Sequence, residues 1–289
     1  MLDKLDLNTK AQELRELLGE DASSPVDIFS LANQIDGLTL VFYPLGENIS
    51  GMCVRDNEIK LIAINSTMSY GRQRFSLAHE LYHLYYDDES GFNVCSKKLD
   101  SKSENEKCAD QFASYFLAPY KSLRAAIKKV AGKDQVSMRN VIALEQYFGM
   151  SHLAMFWRLV SEGYLSPDKL EDYSSGVMSA ARHLGYDDKL YKPTPVDLQK
   201  RTYGYYLKQV EELRQKDLVS FGKIDELLLD AFRDDIAFGP DEERKQGILN
   251  KSSSMVIINI FFGLTGIPND IIIKIPCGEE DKGRIFRQY

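Results

Sequence analysis

The stretch RFSLAHELYHLYYDDE, residues 74–89, limits the fold more than any other: once helical, it must bring two imidazoles to one point. Residues i and i+4 of an α-helix lie one above the other on the same face. His79 and His83 therefore offer two nitrogen ligands to a single ion, and Glu80, next round the helix, lies beside that ion rather than on it. A general base that takes a proton from water has to stand there. Phe75, Ala78, Leu81, Tyr82 and Tyr85 make the rest of the stretch apolar, so the helix is expected in the core with its histidines facing a partner element. The plain alternative is a helix with two ordinary histidines. With four histidines in the chain, an HExxH by accident is a chance on the order of half a per cent, which favours the metal.

A catalytic zinc site takes three protein ligands and leaves a fourth position open. His152 and His183 lie far downstream in unlike settings, so a carboxylate on the next helix is the better third ligand. That helix is read from NEKCADQFASYFLAP, and Glu106 stands in it 23 residues after His83. This separation accommodates a helix end, a loop and an antiparallel return. Asp110 sits at i+4 from Glu106, where it can accept a hydrogen bond from the outer nitrogen of a metal-bound histidine and fix its tautomer. Glu104 is a rival ligand, but Cys108 stands where its carboxylate partner would be. Two imidazoles and a carboxylate suit Zn2+, and another divalent ion such as Mn2+ fits the same donors.

Together, HELYH, ENEKCADQFASYFLAP and the approach GMCVRDNEIKLIAINSTMSYGRQRFS resemble the ImmA/IrrE metallopeptidases, a gluzincin family. The resemblance covers about Leu5 to Pro119 well and extends more loosely to about Gly239. It implies His79, His83 and Glu106 as metal ligands, Glu80 as the catalytic carboxylate and Asp110 as an outer partner. It also implies a zincin-like core and a protein substrate, since family members cut helix-turn-helix repressors of phages, mobile elements and stress responses. Tyr82 departs from the glycine that many members carry there, and is expected to narrow the cleft. Tyr82, Tyr85, Tyr115, His152 and His183 are all candidates by type for stabilising the oxyanion.

The charge balance, 36 Lys and Arg against 43 Asp and Glu for a net −7, argues against a broad phosphate-binding surface while leaving room for a small basic patch. Cys53, Cys95, Cys108 and Cys277 form no CxxC pair, so neither a thiolate knuckle nor a disulfide framework is indicated. The opening MLDKLDLNTKAQELRELL is a polar amphipathic helix without a signal-peptide apolar region. The most apolar run, Met255 to Ile267, falls short of the roughly 18 residues a spanning helix needs. A protein of the cytoplasm is expected, without membrane association.

Periodicity and turn signals predict helices at 5–18 and from Val26, a strand at 38–42, two strands within 51–65, the motif helix at 70–86 and a loop over 87–103. Helices then follow at 104–117 and 122–130, with two more around Gly149 in helix-turn-helix outline. Further helices are read in 197–218 and from Lys223 to Phe238, and a strand pair in MVIINIFFGLTGIPNDIIIKI. The expected class is α+β: a small antiparallel sheet on two motif helices, with mostly helical regions after it. Three regions follow: a zincin-like domain at 1–130, a helix-turn-helix-like region at 131–192, and a helical region with a β-rich tail at 193–289. The strand Lys60 to Asn65, just before the motif helix, is the candidate edge for an extended substrate.

In the second region the presumed recognition helix offers only His152 and Arg158 as polar readers, so packing or protein docking is favoured over base contacts. Two other functions remain open at this stage. One is a metal-binding transcriptional regulator that uses residues 137–165 on DNA. The other is an interaction protein whose metal is structural, although such a site has no use for Glu80.

Overall fold

The computed structural model describes residues 3–55, 59–87, 91–96 and 103–239; the strand pair read near the C-terminus lies outside them. The chain divides after Lys200 into two compact units. In the first, helix α1 (Lys4–Leu17) starts at Asp3, whose side chain accepts from the backbone N–H of Leu5 and Asp6, as an N-cap should. Leu7, Ala11 and Leu14 line its buried face. The short α2 (Ile28–Ala32) is capped in the same way by Asp27.

Strands β1 (Leu38–Tyr43), β2 (Ile49–Arg55) and β3 (Lys60–Asn65) follow, then α3 (Tyr70–Tyr86). Strand β4 (Gly91–Ser96) and helix α4 (Glu104–Leu117) come next. Strand β2 pairs antiparallel with β3 on one side and with β4 on the other, with an irregularity between Ile49 and Gly51. The α+β class holds, but β1 joins β3 in parallel, Thr39 opposite Leu61. Strand β4 occupies part of the stretch that reads as a polar loop.

The pairing also corrects the substrate-edge expectation. Leu61 pairs with Val54 on one side and with Thr39 on the other, so β3 is an interior strand. Its backbone groups are engaged on both sides, and no extended peptide can add to it.

Helix α3 runs through the middle of this unit, with every residue from Gln73 to Leu84 buried. It packs against β2 and β3 on one side and α4 on the other. The α3–α4 seam is aromatic: Tyr82 and Tyr86 each lie 5.5 Å from the Phe112 ring, which stacks 5.7 Å from Phe116. Phe112 is fully buried, a contribution of roughly 1.5–3 kcal/mol. Tyr82 therefore fills the seam between helices and does not narrow a cleft. Arg15 holds the far end of α4, donating from Nη1 to the Phe116 carbonyl at 2.7 Å and from Nε to the Asp21 carbonyl at 2.8 Å.

Helix α5 (Tyr120–Ala131) leads to α6 (Met138–Phe148) and α7 (His152–Ser161). The turn between α6 and α7 passes through Gly149 at φ 65, a left-handed conformation natural to glycine. It is fastened to the motif helix, since Arg74 Nε donates to the Gly149 carbonyl at 2.8 Å and Nη2 to that of Val26 at 2.5 Å. The helices α8 (Leu170–Ser174) and α9 (Val177–His183) come after. Residues 192–194, where the sequence marks a break, bond back to the start of α3: Tyr70 N–H donates to the Lys192 carbonyl, and Gln73 reaches Thr194.

In the second unit, β5 (Arg201–Gly204) and α10 (Tyr205–Gln215) replace the single helix read over 197–218. Helices α11 (Phe221–Asp230) and α12 (Asp234–Ala237) follow. Tyr206 is buried there, its hydroxyl donating to the Leu227 carbonyl at 3.2 Å, so part of the tyrosine cluster near 203–206 is core. Among the described residues no helix is long and apolar enough to cross a membrane.

Candidate metal centre

The antiparallel pair α3 and α4 brings the sequence-selected side chains to one place. Nε2 of His79 and Nε2 of His83 are 3.1 Å apart. Glu106 reaches both, Oε2 lying 3.3 Å from His79 Nε2 and Oε1 3.2 Å from His83 Nε2. These three residues offer donor atoms all within 4.8 Å of one another. Ser103 caps α4 by accepting the Glu106 backbone N–H at 3.2 Å, and so fixes the helical turn from which Glu106 projects. Glu104, the rival, is exposed and stands outside this group.

The outer imidazole nitrogens explain why the inner ones point inward. His79 Nδ1 lies 2.9 Å from Asp110 Oδ1, and His83 Nδ1 lies 2.7 Å from Asp87 Oδ2. An ionised carboxylate only accepts, so each Nδ1 carries the proton and each Nε2 presents a lone pair. In neutral rings, two lone pairs and a carboxylate then face one another across about 3 Å, an arrangement that a bound ion or added protons relieve. The proton is a partial substitute. Burial by itself lowers the pKa of His79, but hydrogen bonds to Asp110 and Glu106 outweigh it and raise the value to about 9. His83 is likewise raised: burial opposes the shift, and its bond to Glu106 leads the groups that favour the charged ring. Glu106 moves the other way. Burial would raise its pKa, but the two imidazoles hold it well below the ordinary carboxylate range.

Asp87 is the residue that sequence reasoning missed. It stands at i+4 from His83, the same spacing that pairs the two histidines, but one residue past the end of α3 and at the head of a stretch read as loop. It also links three elements. Its Oδ1 accepts from Asn105 Nδ2 of α4 at 2.7 Å, and its carbonyl accepts from Arg55 of β2. Arg55 Nη1 donates to the Leu84 carbonyl at 2.8 Å as well, a cation satisfying the last carbonyls of a helix. Replacing Asp87 with alanine should weaken binding of a divalent ion by about 10–100-fold, the usual cost of losing such an outer partner. Competition with a chromophoric chelator measures this. Unchanged affinity would mean that the helix alone orients His83.

Glu80 is fully buried and lies beneath β2. A β-carbon at Gly51 would come within 2.6 Å of Glu80 Oε1, so glycine there makes room for the carboxylate. Of the candidate oxyanion donors, three are committed elsewhere. His152 sits 2.6 Å from Glu145 and 2.7 Å from the Tyr173 carbonyl, His183 sits 2.8 Å from the Ser179 carbonyl, and Tyr82 is in the α3–α4 seam.

Residues 34–159 match the peptidase M78 family, described as the IrrE N-terminal-like domain. That span runs from before β1 to within α7 and includes every residue of the centre. A stretch of 65 residues is 43% identical to the radiation response metalloprotease IrrE of Deinococcus deserti. The likeness extends over 22% of this chain and 22% of that relative's length, so the chain spans about a fifth of the curated relative it matches. Residues 34–159, which carry the whole centre, are therefore similar to the IrrE N-terminal-like domain of the peptidase M78 family.

Proposed function

We propose that this protein is a zinc-dependent endopeptidase of the cytoplasm, in which His79, His83 and Glu106 hold the ion and Glu80 is the catalytic base. The observation that carries the reading is the convergence of His79 Nε2, His83 Nε2 and the Glu106 carboxylate, with both outer nitrogens anchored by aspartates. A structural zinc site is closed by four protein ligands. Three donors with a buried carboxylate alongside suit hydrolysis better. The peptidase family match and the name of the metalloprotease relative support the same reading.

A divalent ion held there supplies Lewis acidity toward a carbonyl and lowers the pKa of water toward about 7. The chain's own residues do the rest. Glu80 takes the proton of the attacking water and delivers it to the amine nitrogen as the peptide bond breaks. Asp110 and Asp87 keep the two imidazoles in one tautomer throughout. The outer side of β4 is paired with no other strand among the described residues, and an extended peptide would add there by main-chain hydrogen bonds.

The resemblance to ImmA/IrrE proteins extends the proposal to the substrate: a helix-turn-helix transcriptional repressor of a phage, mobile element or stress response. The test is elemental analysis of the purified protein, followed by incubation with repressors encoded near it. About one zinc per chain and a discrete cleavage, abolished by a chelator and restored by zinc, are expected. Manganese in place of zinc would change the ion and leave the site standing. Cleavage that survives complete metal removal would overturn the reading.

A further inference from the structure

We propose that the outward face of α5, with Tyr120 and Tyr164 at its Arg124, is a docking surface for an acidic amphipathic segment of a partner protein. Between Tyr120 and Asn140 the chain carries Lys121, Arg124, Lys128, Lys129, Lys133 and Arg139 against the single acid Asp134, although the whole chain is net −7. Helix α5 buries Leu123, Ile127 and Ala131 on one side and exposes Lys121, Arg124, Lys128 and Lys129 on the other. Elsewhere on this protein exposed cations are commonly paired with acids, as Arg182 is with Asp188 and Lys216 with Glu212. None of these six has an acidic partner among the described residues.

The neighbouring surface is not an ordinary solvated one. The Arg124 guanidinium lies 5.6 Å over the Tyr120 ring and also bonds the Tyr164 hydroxyl. Tyr120 is 38% exposed and Tyr164 is 36% exposed. Exposed tryptophan, tyrosine and arginine are the residue types that dominate protein–protein hot spots. Cations flanking apolar rings complement a partner that presents acids beside leucine or phenylalanine.

Nucleic acid fits less well. The second helix of the helix-turn-helix presents Leu153, Trp157 and Ser161 outward. Its two polar readers are withdrawn: Arg158 is buried against Glu162 and Ser114, and His152 is held by Glu145 and the Tyr173 carbonyl. A long polyanion would also meet the net negative charge of the rest of the chain, whereas a short acidic segment meets only the local field. This surface does not depend on whether the metal centre hydrolyses peptides.

The probe is a synthetic amphipathic helix with glutamates on one face and leucine and phenylalanine on the other, fluorescently labelled, with the full chain titrated into it. A saturable rise in its anisotropy is expected, weakened by salt and by roughly tenfold or more in the double variant Lys121→Glu, Arg124→Glu. These positions are exposed, and circular dichroism of the variant checks that it folds. Three results would overturn the proposal: no binding of the peptide, unchanged affinity in the folded double variant, or equal affinity for polyglutamate without apolar residues. Tighter binding of a short DNA duplex than of the peptide would overturn it too, in favour of nucleic acid.

Discussion

Glu80→Gln should lower kcat/KM for cleavage by about 10²–10⁴-fold, the usual contribution of a positioned general base, while leaving metal content at the wild-type level. The substitution keeps the volume and shape of the side chain, which matters because Glu80 is fully buried and its Oε1 fills the space left by Gly51. It removes the negative charge and the ability to take up a proton. His79, His83 and Glu106 keep their positions because Asp110, Asp87 and Ser103 hold them, and Glu80 is not among those contacts. Paired measurement of cleavage rate and bound metal separates the possibilities. Cleavage within a few-fold of wild type would place the base elsewhere. Loss of metal would mean that Glu80 supports the ligands rather than the reaction.

How far this site could be read from sequence depends on the range of each interaction. His79 with His83, and Glu106 with Asp110, are i,i+4 pairs, and helix geometry fixes their directions once the helices are recognised. That α4 returns antiparallel to α3 was legible from the length between them. The sheet was less so. Strand β4 is six residues within an otherwise polar stretch, and its identity comes from pairing with β2, a contact between segments some forty residues apart in sequence. The parallel pairing of β1 with β3 is likewise a tertiary choice that local pattern does not encode. Tyr82 shows the same limit: its type suggested the cleft, but its side chain is taken up by Phe112, a residue on another helix. Asp87 differs, because the signal was local. The i,i+4 spacing that pairs the histidines continues to Asp87, one residue beyond the last turn of α3.

Glu106→Ala should abolish stoichiometric metal binding, a larger effect than removing Asp87, because it deletes a donor instead of a support for one. From about one ion per chain the content should fall to near none after dialysis, and cleavage with it. The fold should persist, since Glu106 is partly exposed in the first turn of α4 and that turn keeps its Ser103 cap. The pH dependence gives a second signature. In the metal-free protein the His79 pKa stands at about 9, so near neutrality the ring carries a proton that an incoming ion must displace. Wild-type affinity should therefore rise with pH by about tenfold per unit for one displaced proton, levelling off above about 9. Removing the Glu106 carboxylate removes one of the groups that raise this pKa, so the ring gives up its proton at lower pH. Residual binding in the variant should then level off earlier. Zinc retained at full stoichiometry without Glu106 would move the third ligand to another residue and break the two-helix site on which the peptidase reading stands.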